Sequence, residues 1–230
     1  QRNCASGMQS IDCAMRNIQA GRSELVLAGG TEAMSHAPLL FSRAMATWLG
    51  NFSYARGVPA KLSALVKFRP ALLKPVIALL RGLTDPVVGI NMGQTAEVIA
   101  HRFGISREAM DEYAAGSHIR LARAQREDRL GEVEVLYDQE GNFYEYDNGV
   151  RPDSSVEKLA RLKPAFDREF GNVTAANSSQ ITDGAAWVLL AGEKAVKKYQ
   201  LPVLARIIDS EWAALSPRQM GLGPVHAMTP

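Results

Sequence analysis

The chain has 230 residues, 47% hydrophobic and 22% charged, a globular composition that excludes a disordered segment, a collagen-like repeat and a coiled coil. Twenty-six basic against twenty-four acidic side chains leave +2, too little for binding to nucleic acid through overall charge, so no nucleic-acid partner is expected. The two cysteines, Cys4 and Cys13, exclude a disulfide scaffold, a four-ligand zinc site and a Cys-x-x-Cys redox pair; no metal is expected.

The first forty residues alternate in the α/β manner. After Cys4, Ile11, Ala14, Met15 and Ile18 repeat at helical spacing, and Gly21 closes that helix. Leu25 to Ala28 predicts a buried strand that turns at Gly29-Gly30. Between Ala33 and Thr84 there is no Asp or Glu, against seven basic residues: Arg43, Arg56, Lys61, Lys67, Arg69, Lys74 and Arg81. Pro59, Pro70, Pro75 and Pro86 break this stretch into short pieces, which marks an insertion rather than sheet core. Gln94 to Arg102 predicts a helix ending near Gly104. Ser106 caps a second, with Glu108, Asp111 and Glu112 in its opening turns to suit the dipole. Its apolar face is expected from Met110, Tyr113, Ala114, Ser117, Leu121 and Ala124, with Gly131 as a left-handed cap. Glu132 to Tyr137 alternates as a strand and Gly141-Asn142 makes a turn. Residues 147–164 are loop and short helix, Trp187 to Ala191 a buried strand, Glu193 to Tyr199 a helix, and Val203 to Ile208 strand-like. No apolar run is long enough for a membrane helix and no leader with a cleavage site is present, so a soluble cytoplasmic protein is the default expectation.

Two stretches carry chemistry. Asn3-Cys4-Ala5-Ser6-Gly7 places a thiol at a helix start, where free amides and the positive end of the dipole favour thiolate over thiol. Ala5, Ser6 and Gly7 leave room for a bulky substrate at the sulfur. Position alone favours a small buried cysteine over a reactive one, and that is also the reading for Cys13 inside the helix. The run from Gly171 to Ala186 is rich in small and hydroxyl residues. It suits an amide- or phosphate-bearing ligand, and fits a tightly packed loop as well.

Taken together, several segments resemble the thiolase family. They are Gln1-Arg2-Asn3-Cys4-Ala5-Ser6-Gly7-Met8-Gln9, Leu27 to Ser35, Asn91-Met92-Gly93-Gln94-Thr95-Ala96-Glu97, Leu162-Lys163-Pro164-Ala165-Phe166-Asp167, the run around Asn177, and Met220-Gly221-Leu222-Gly223-Pro224. Asp147 to Pro152 and the basic insertion look most like the thiolase subunit of fatty-acid β-oxidation complexes. The resemblance implies a partial thiolase-like α/β fold, a layered core with a large loop domain. Residues 1–42 and 182–202 would belong to the N-terminal core, 43–181 to the loop domain with its insertion at 43–85, and 203–230 would open the C-terminal core.

The resemblance also implies the roles of particular residues. Cys4 matches the acylated nucleophile, and Arg151 a basic residue near the nucleotide end of coenzyme A. Met92, Phe166, Ala175 and Met220 match contacts to the pantetheine arm, and Ser178 and Ser179 fall on its serine segment. Coenzyme A is implied as a substrate, with no permanently bound cofactor. The implied reaction is thiolytic cleavage of a 3-ketoacyl-CoA; the alternatives are a biosynthetic acetoacetyl-CoA-forming thiolase and a non-catalytic acyl-CoA-binding or assembly piece. A β-ketoacyl synthase or hydroxymethylglutaryl-CoA synthase also places a cysteine at a helix start, but the insertion and the Thr174-to-Ser179 segment argue against both. Implied partners are a second copy, as dimer or tetramer, and a hydratase–dehydrogenase subunit. The insertion either packs on the core or lies on an anionic membrane or partner surface. One departure stands out. The family's Gly-His-Pro and Cys-x-Gly-Gly segments are absent, and His36, His101, His118 and His226 lie in other contexts. With its start at Gln1 and its stop at Pro230, the chain reads as the middle of something longer, expected to lack turnover alone.

Overall fold

In the computed structural model, which describes residues 1–229, the helical spacing after Cys4 becomes a helix and the apolar runs become paired strands. In chain order the elements are α1 (Ser6–Gln19), β1 (Leu25–Ala33), β2 (Leu39–Leu40), α2 (Arg43–Tyr54), α3 (Val58–Val66), β3 (Val76–Ile77), α4 (Ala78–Gly82), α5 (Met92–Phe103), α6 (Arg107–Arg126), β4 (Leu136–Tyr137), β5 (Phe143–Tyr144), α7 (Val156–Leu159), β6 (Asp183–Ala191), α8 (Glu193–Tyr199) and α9 (Gly223–Ala227). Short 3-10 turns lie at Asn3–Ala5, Met34–His36, Pro70–Leu73 and Pro217–Leu222. The chain divides into two compact units, residues 1–83 with 181–212, and residues 84–180 with the segment from Ala213 onward. Among the described residues no helix is long and apolar enough to cross a membrane.

In the first unit β1 and β6 pair antiparallel from Leu25↔Ala191 to Ala33↔Asp183, and α1 packs on one face through Ala14, Ile11, Met15 and Ile18 against Val26, Ala28 and Leu190. Gly21 closes α1 as expected. It takes φ +68° while its amide reaches the Ile18 carbonyl and the Arg22 amide reaches Asn17. Gly29-Gly30, expected as a turn, lies inside β1 instead. A Cβ on Gly29 would come within 2.1 Å of the Ala186 carbonyl oxygen and 2.8 Å of the Trp187 backbone, so the glycine serves close strand approach. Both strands were expected to be buried, but the face away from α1 exposes Leu27 (62%), Leu189 (56%) and Trp187 (54%). The reason is that a two-stranded sheet with one helix has cover on one side only. The insertion forms short pieces, as its prolines imply. Trp48 of α2 stacks on Phe52 at 5.5 Å, meets Phe68 edge-on at 5.0 Å, and donates from Nε1 to the Ala64 carbonyl at 2.8 Å.

In the second unit α5 starts two residues before the predicted helix, at a capping box. The Gln94 amide donates to Asn91 Oδ1, and the Asn91 amide donates to Gln94 Oε1, both at 2.9 Å. Gly104 ends it at φ +62°, and Ser106 caps α6 on the Ala109 amide at 3.1 Å. The buried face of α6 is turned from the expected one: Asp111, Ala115 and Ala122 are buried, while Tyr113 and Ser117 are exposed. Asp111 is therefore no surface dipole partner; a buried polar cluster outweighs the apolar stripe. The helix ends at Arg126, and it is Asp128, at φ +51°, that takes the left-handed turn assigned to Gly131. The strand expected over Glu132–Tyr137 shrinks to β4, because its hairpin partner β5 offers only two residues. Val203–Ile208 joins no sheet among the described residues, since no neighbouring strand pairs with it.

Candidate functional site

Cys4 sits on the 3-10 turn that leads into α1, in the first unit. Asn3 supplies a left-handed φ of +49°, a conformation asparagine tolerates better than most residues. The turn is tied by the Ala5 amide to the Arg2 carbonyl at 3.0 Å and by the Arg2 amide to Ser6 Oγ at 2.8 Å. Cys4 is exposed, and a Cβ on Gly7 would meet nothing within 4 Å, so the approach to the sulfur is open. The Arg2 guanidinium lies 3.9 Å over the Trp212 ring, which holds the start of the turn. Ser10 Oγ donates to the Gly7 and Gly29 carbonyls at 2.7 and 3.2 Å, fixing α1 to β1 below the turn.

Cys13 is exposed, not buried as expected. Its position on α1 lies off the stripe that faces the sheet, and Gln9 Nε2 donates to its sulfur at 3.2 Å. The buried residue beside it is Asp12, which accepts from Arg16 Nε at 3.0 Å and from Ser210 Oγ at 2.6 Å. The Ser210 hydroxyl, with the Arg16 guanidinium adding to it, holds the Asp12 carboxyl below its ordinary value.

The residues matched to coenzyme A contacts all fall in the second unit, where α5 and α6 fasten the loops that carry them. At the start of α5, Met92 is half-buried, and the ring of Phe166 lies against the next residue. A Cβ on Gly93 would be 2.1 to 2.3 Å from ring atoms. Glu97, one turn on, accepts from the Asn172 and Val173 amides at 2.9 and 2.8 Å. Further along, Gly221 passes so close to Ile99 that a Cβ would lie 2.9 Å from Cδ1, which sets the turn bearing Met220 along the same helix. Met220 is 45% exposed and Phe166 41%.

From α6, Asp111 accepts from Asn177 Nδ2 at 2.9 Å and from Arg107 Nε at 2.7 Å, and Arg107 Nη2 reaches the Leu159 and Leu162 carbonyls at 2.7 and 3.0 Å. Asn177 Oδ1 accepts from the fully buried Thr174 amide at 2.7 Å. The polar run thus has two parts. Thr174 and Asn177 are spent on internal bonds, while Ala175, Ser178 and Ser179 remain exposed at the surface of the knot. Ser178 Oγ donates to the Thr174 carbonyl at 2.7 Å and Ser179 Oγ to Gln180 at 3.3 Å.

Arg151 lies on a loop next to that run. The Gln180 amide group covers Gly149 so closely that a Cβ there would be 1.7 Å from Nε2. The Arg151 amide donates to His118 Nδ1 at 3.2 Å, and its exposed guanidinium uses Nη1 on the Asn148 and Val150 carbonyls. The structure therefore sets Gly93, next to Met92, against Phe166, and Gly149 of the Arg151 loop against Gln180, next to Ser179. Sequence reasoning missed Glu97, Asp111, His118 and Gln180, the residues that hold the loops. For Glu97, Asp111 and His118 the signal was a polar residue on a packed helix face; Gln180 lies in an exposed loop and carried none. Among the described residues no group of His, Cys, Asp and Glu side chains could hold a metal ion.

Comparison with known proteins gives a match over residues 1–194 to the family model described as thiolase, N-terminal domain. The chain is 36% identical to the beta subunit of the mitochondrial trifunctional enzyme of Bos taurus, covering 97% of this chain and 46% of that protein. It is 39% identical to a 3-ketoacyl-CoA thiolase of Pectobacterium atrosepticum, with coverages of 98% and 52%. A crystal structure of human mitochondrial 3-ketoacyl-CoA thiolase in complex with CoA superposes with a TM-score of 0.80 at 34% identity, over 98% of this chain and 52% of that one. The chain thus spans about half the length of the relatives it matches. The α/β class and the partial fold expected from the sequence agree with this superposition.

Proposed function

Because the chain belongs to the thiolase family, we propose that it is the nucleophile-bearing part of an acetyl-CoA C-acyltransferase acting on 3-ketoacyl-CoA. The observation that carries this reading is the exposed Cys4, on an open turn ahead of α1, within the family's nucleophile segment. The Cys4 thiolate attacks the 3-keto carbon. The bond between C2 and C3 breaks, the electron pair leaves on the acetyl-CoA enolate, which takes up a proton, and the acyl group stays on Cys4 as a thioester. The thiolate of a second coenzyme A then attacks that thioester and releases the shortened acyl-CoA and free Cys4. Met92, Phe166, Ala175, Ser178, Ser179 and Met220 receive the pantetheine arm, and Arg151 a phosphate at the nucleotide end. Coenzyme A is substrate in this scheme, and no resident cofactor enters it.

The 230 residues hold no Gly-His-Pro and no Cys-x-Gly-Gly segment. The base that would deprotonate coenzyme A is thus outside them, and general acid–base catalysis contributes about 10²–10⁴-fold in rate. That supports a second reading for the chain by itself: it binds acyl-CoA without turnover. The domain limits proposed are 1–42 and 182–202 for the first core, 43–181 for the loop region, and 203–230 for the start of the second core. A second copy and a hydratase–dehydrogenase subunit are the proposed protein partners. The insertion, with exposed Val58, Leu62, Val66 and Leu73 among basic side chains, is proposed to contact anionic lipid, each basic residue contributing about 1 kcal/mol.

The decisive assay is incubation of the chain with a 3-ketoacyl-CoA and intact-mass analysis. A mass increase by the acyl group that disappears in Cys4→Ala and persists in Cys13→Ala supports the nucleophile. Acylation at Cys13 alone overturns it. Steady-state thiolysis by the purified chain would remove the binding-only reading.

A further inference from the structure

One face of α6 runs Asp111, Ala115, His118, Ala122, with His118 half-buried and the other three buried. Two of these four are polar, and each catches a loop from outside the helix. Asp111 takes Asn177 of the segment bearing Ser178 and Ser179; His118 takes the amide of Arg151. The Arg151 loop is also held by the Gln180 side chain over Gly149 and by Lys158 Nζ, which donates to the Asp153 carbonyl and carboxylate at 2.8 and 2.6 Å. Its guanidinium turns Nη1 back onto its own loop, leaving Nε and Nη2 without hydrogen bonds among the described residues. A guanidinium is a specific phosphate ligand only when its planar fork is held in one orientation. The loop therefore has to be fixed before Arg151 can select an anion.

We propose that His118 is a positioning residue: through Nδ1 it fixes the backbone of Arg151 and thereby the direction of the guanidinium toward a phosphate of coenzyme A. The proposal rests on the reading of Arg151 as the phosphate residue given above. Accepting at Nδ1 requires the lone pair there, so the ring proton of the neutral form stays on Nε2. An asparagine at this position carries its carbonyl oxygen close to where Nδ1 lies and can accept the same amide; an alanine cannot.

The test measures binding of coenzyme A and of pantetheine, which lacks the nucleotide phosphates, to wild type, His118→Ala, His118→Asn and Arg151→Ala. In the same proteins the amide signal of Arg151 is followed by NMR for shift and solvent exchange. One hydrogen bond translates to a change of about fivefold. His118→Ala should weaken coenzyme A about fivefold, leave pantetheine unchanged and speed exchange of the Arg151 amide. His118→Asn should restore both coenzyme A affinity and slow exchange. His118→Ala binding coenzyme A as wild type, while Arg151→Ala loses affinity, overturns the positioning role and leaves the Arg151 reading intact. Arg151→Ala binding as wild type overturns the phosphate reading and with it the proposal, even where the amide responds. Equal loss for both His118 variants, with pantetheine weakened as well, assigns His118 to general structure and also overturns it.

Discussion

Replacing Asp111 by alanine tests whether the polar knot, rather than apolar packing, holds the ligand-facing loops. Asp111 is 1% exposed and accepts from Arg107 at 2.7 Å and Asn177 at 2.9 Å. Truncation strands Arg107 Nε, but Nη2 keeps the Leu159 and Leu162 carbonyls and the Arg107 side chain is 22% exposed, so its charge still reaches water. Asn177 Nδ2 keeps the Asn172 carbonyl at 2.9 Å. The loss therefore lies at the low end of the range for breaking a buried pair: about 2 kcal/mol for the charged bond and about 1 kcal/mol for the neutral one. Urea unfolding followed by far-UV circular dichroism should show a stability loss of about 3 kcal/mol. The Thr174 and Asn177 amides should exchange faster than those of α5. Arg107→Met with Asp111→Leu should recover at least half, because two apolar groups leave no stranded charge. A loss under about 1 kcal/mol for Asp111→Ala, or a double variant no better than the single, refutes the reasoning.

Gly93→Ala puts a methyl into the Phe166 ring, and should weaken coenzyme A binding roughly tenfold in calorimetry, with little change if the ring is free to swing away. Gly29→Ala drives a Cβ into the Ala186 carbonyl and should lower stability by about 2–3 kcal/mol, read as a lower melting temperature; an unchanged Tm means β1 and β6 are not this close. The folded-state pKa of Asp12 is lowered by Ser210 and Arg16, so its stabilisation is complete above the ordinary value of 3.8 and is lost as pH falls through the folded value. Acid titration should thus destabilise wild type below about pH 4 more steeply than Asp12→Asn, and parallel curves would contradict the assignment. Vesicles with anionic lipid should retain the chain at low salt, and Lys67→Glu, Arg69→Glu and Lys74→Glu together should release it. Equal binding to neutral vesicles would remove the electrostatic reading.

Local signals were the legible ones. Gly21, Gly104 and Ser106 set helix ends that the structure keeps, because capping depends on a few neighbouring residues. Cys4 and the loop residues Arg151, Phe166 and Ser179 were singled out through motif register, and their roles are those proposed above. Their supports were not. Asp111 looks like any acid in a first turn until Asn177, sixty-six residues away, meets it. The face of α6 was misjudged for the same reason: periodicity counts apolar side chains and gives no weight to a buried carboxylate with partners. Gly29-Gly30 carried both a turn signal and a close-packing signal, and only the register with Trp187 distinguishes them.

The sheet of β1 and β6 has a consequence for the life of the chain outside its fold. Leu27, Leu189 and Trp187 form an apolar patch on a ladder whose two outer edges have no strand partner among the described residues. Free edges next to exposed apolar side chains are a template on which another extended segment can grow. The concentration of the chain then matters as much as its stability. At low concentration the patch is only wet; at high concentration the two free edges are where an added strand would pair.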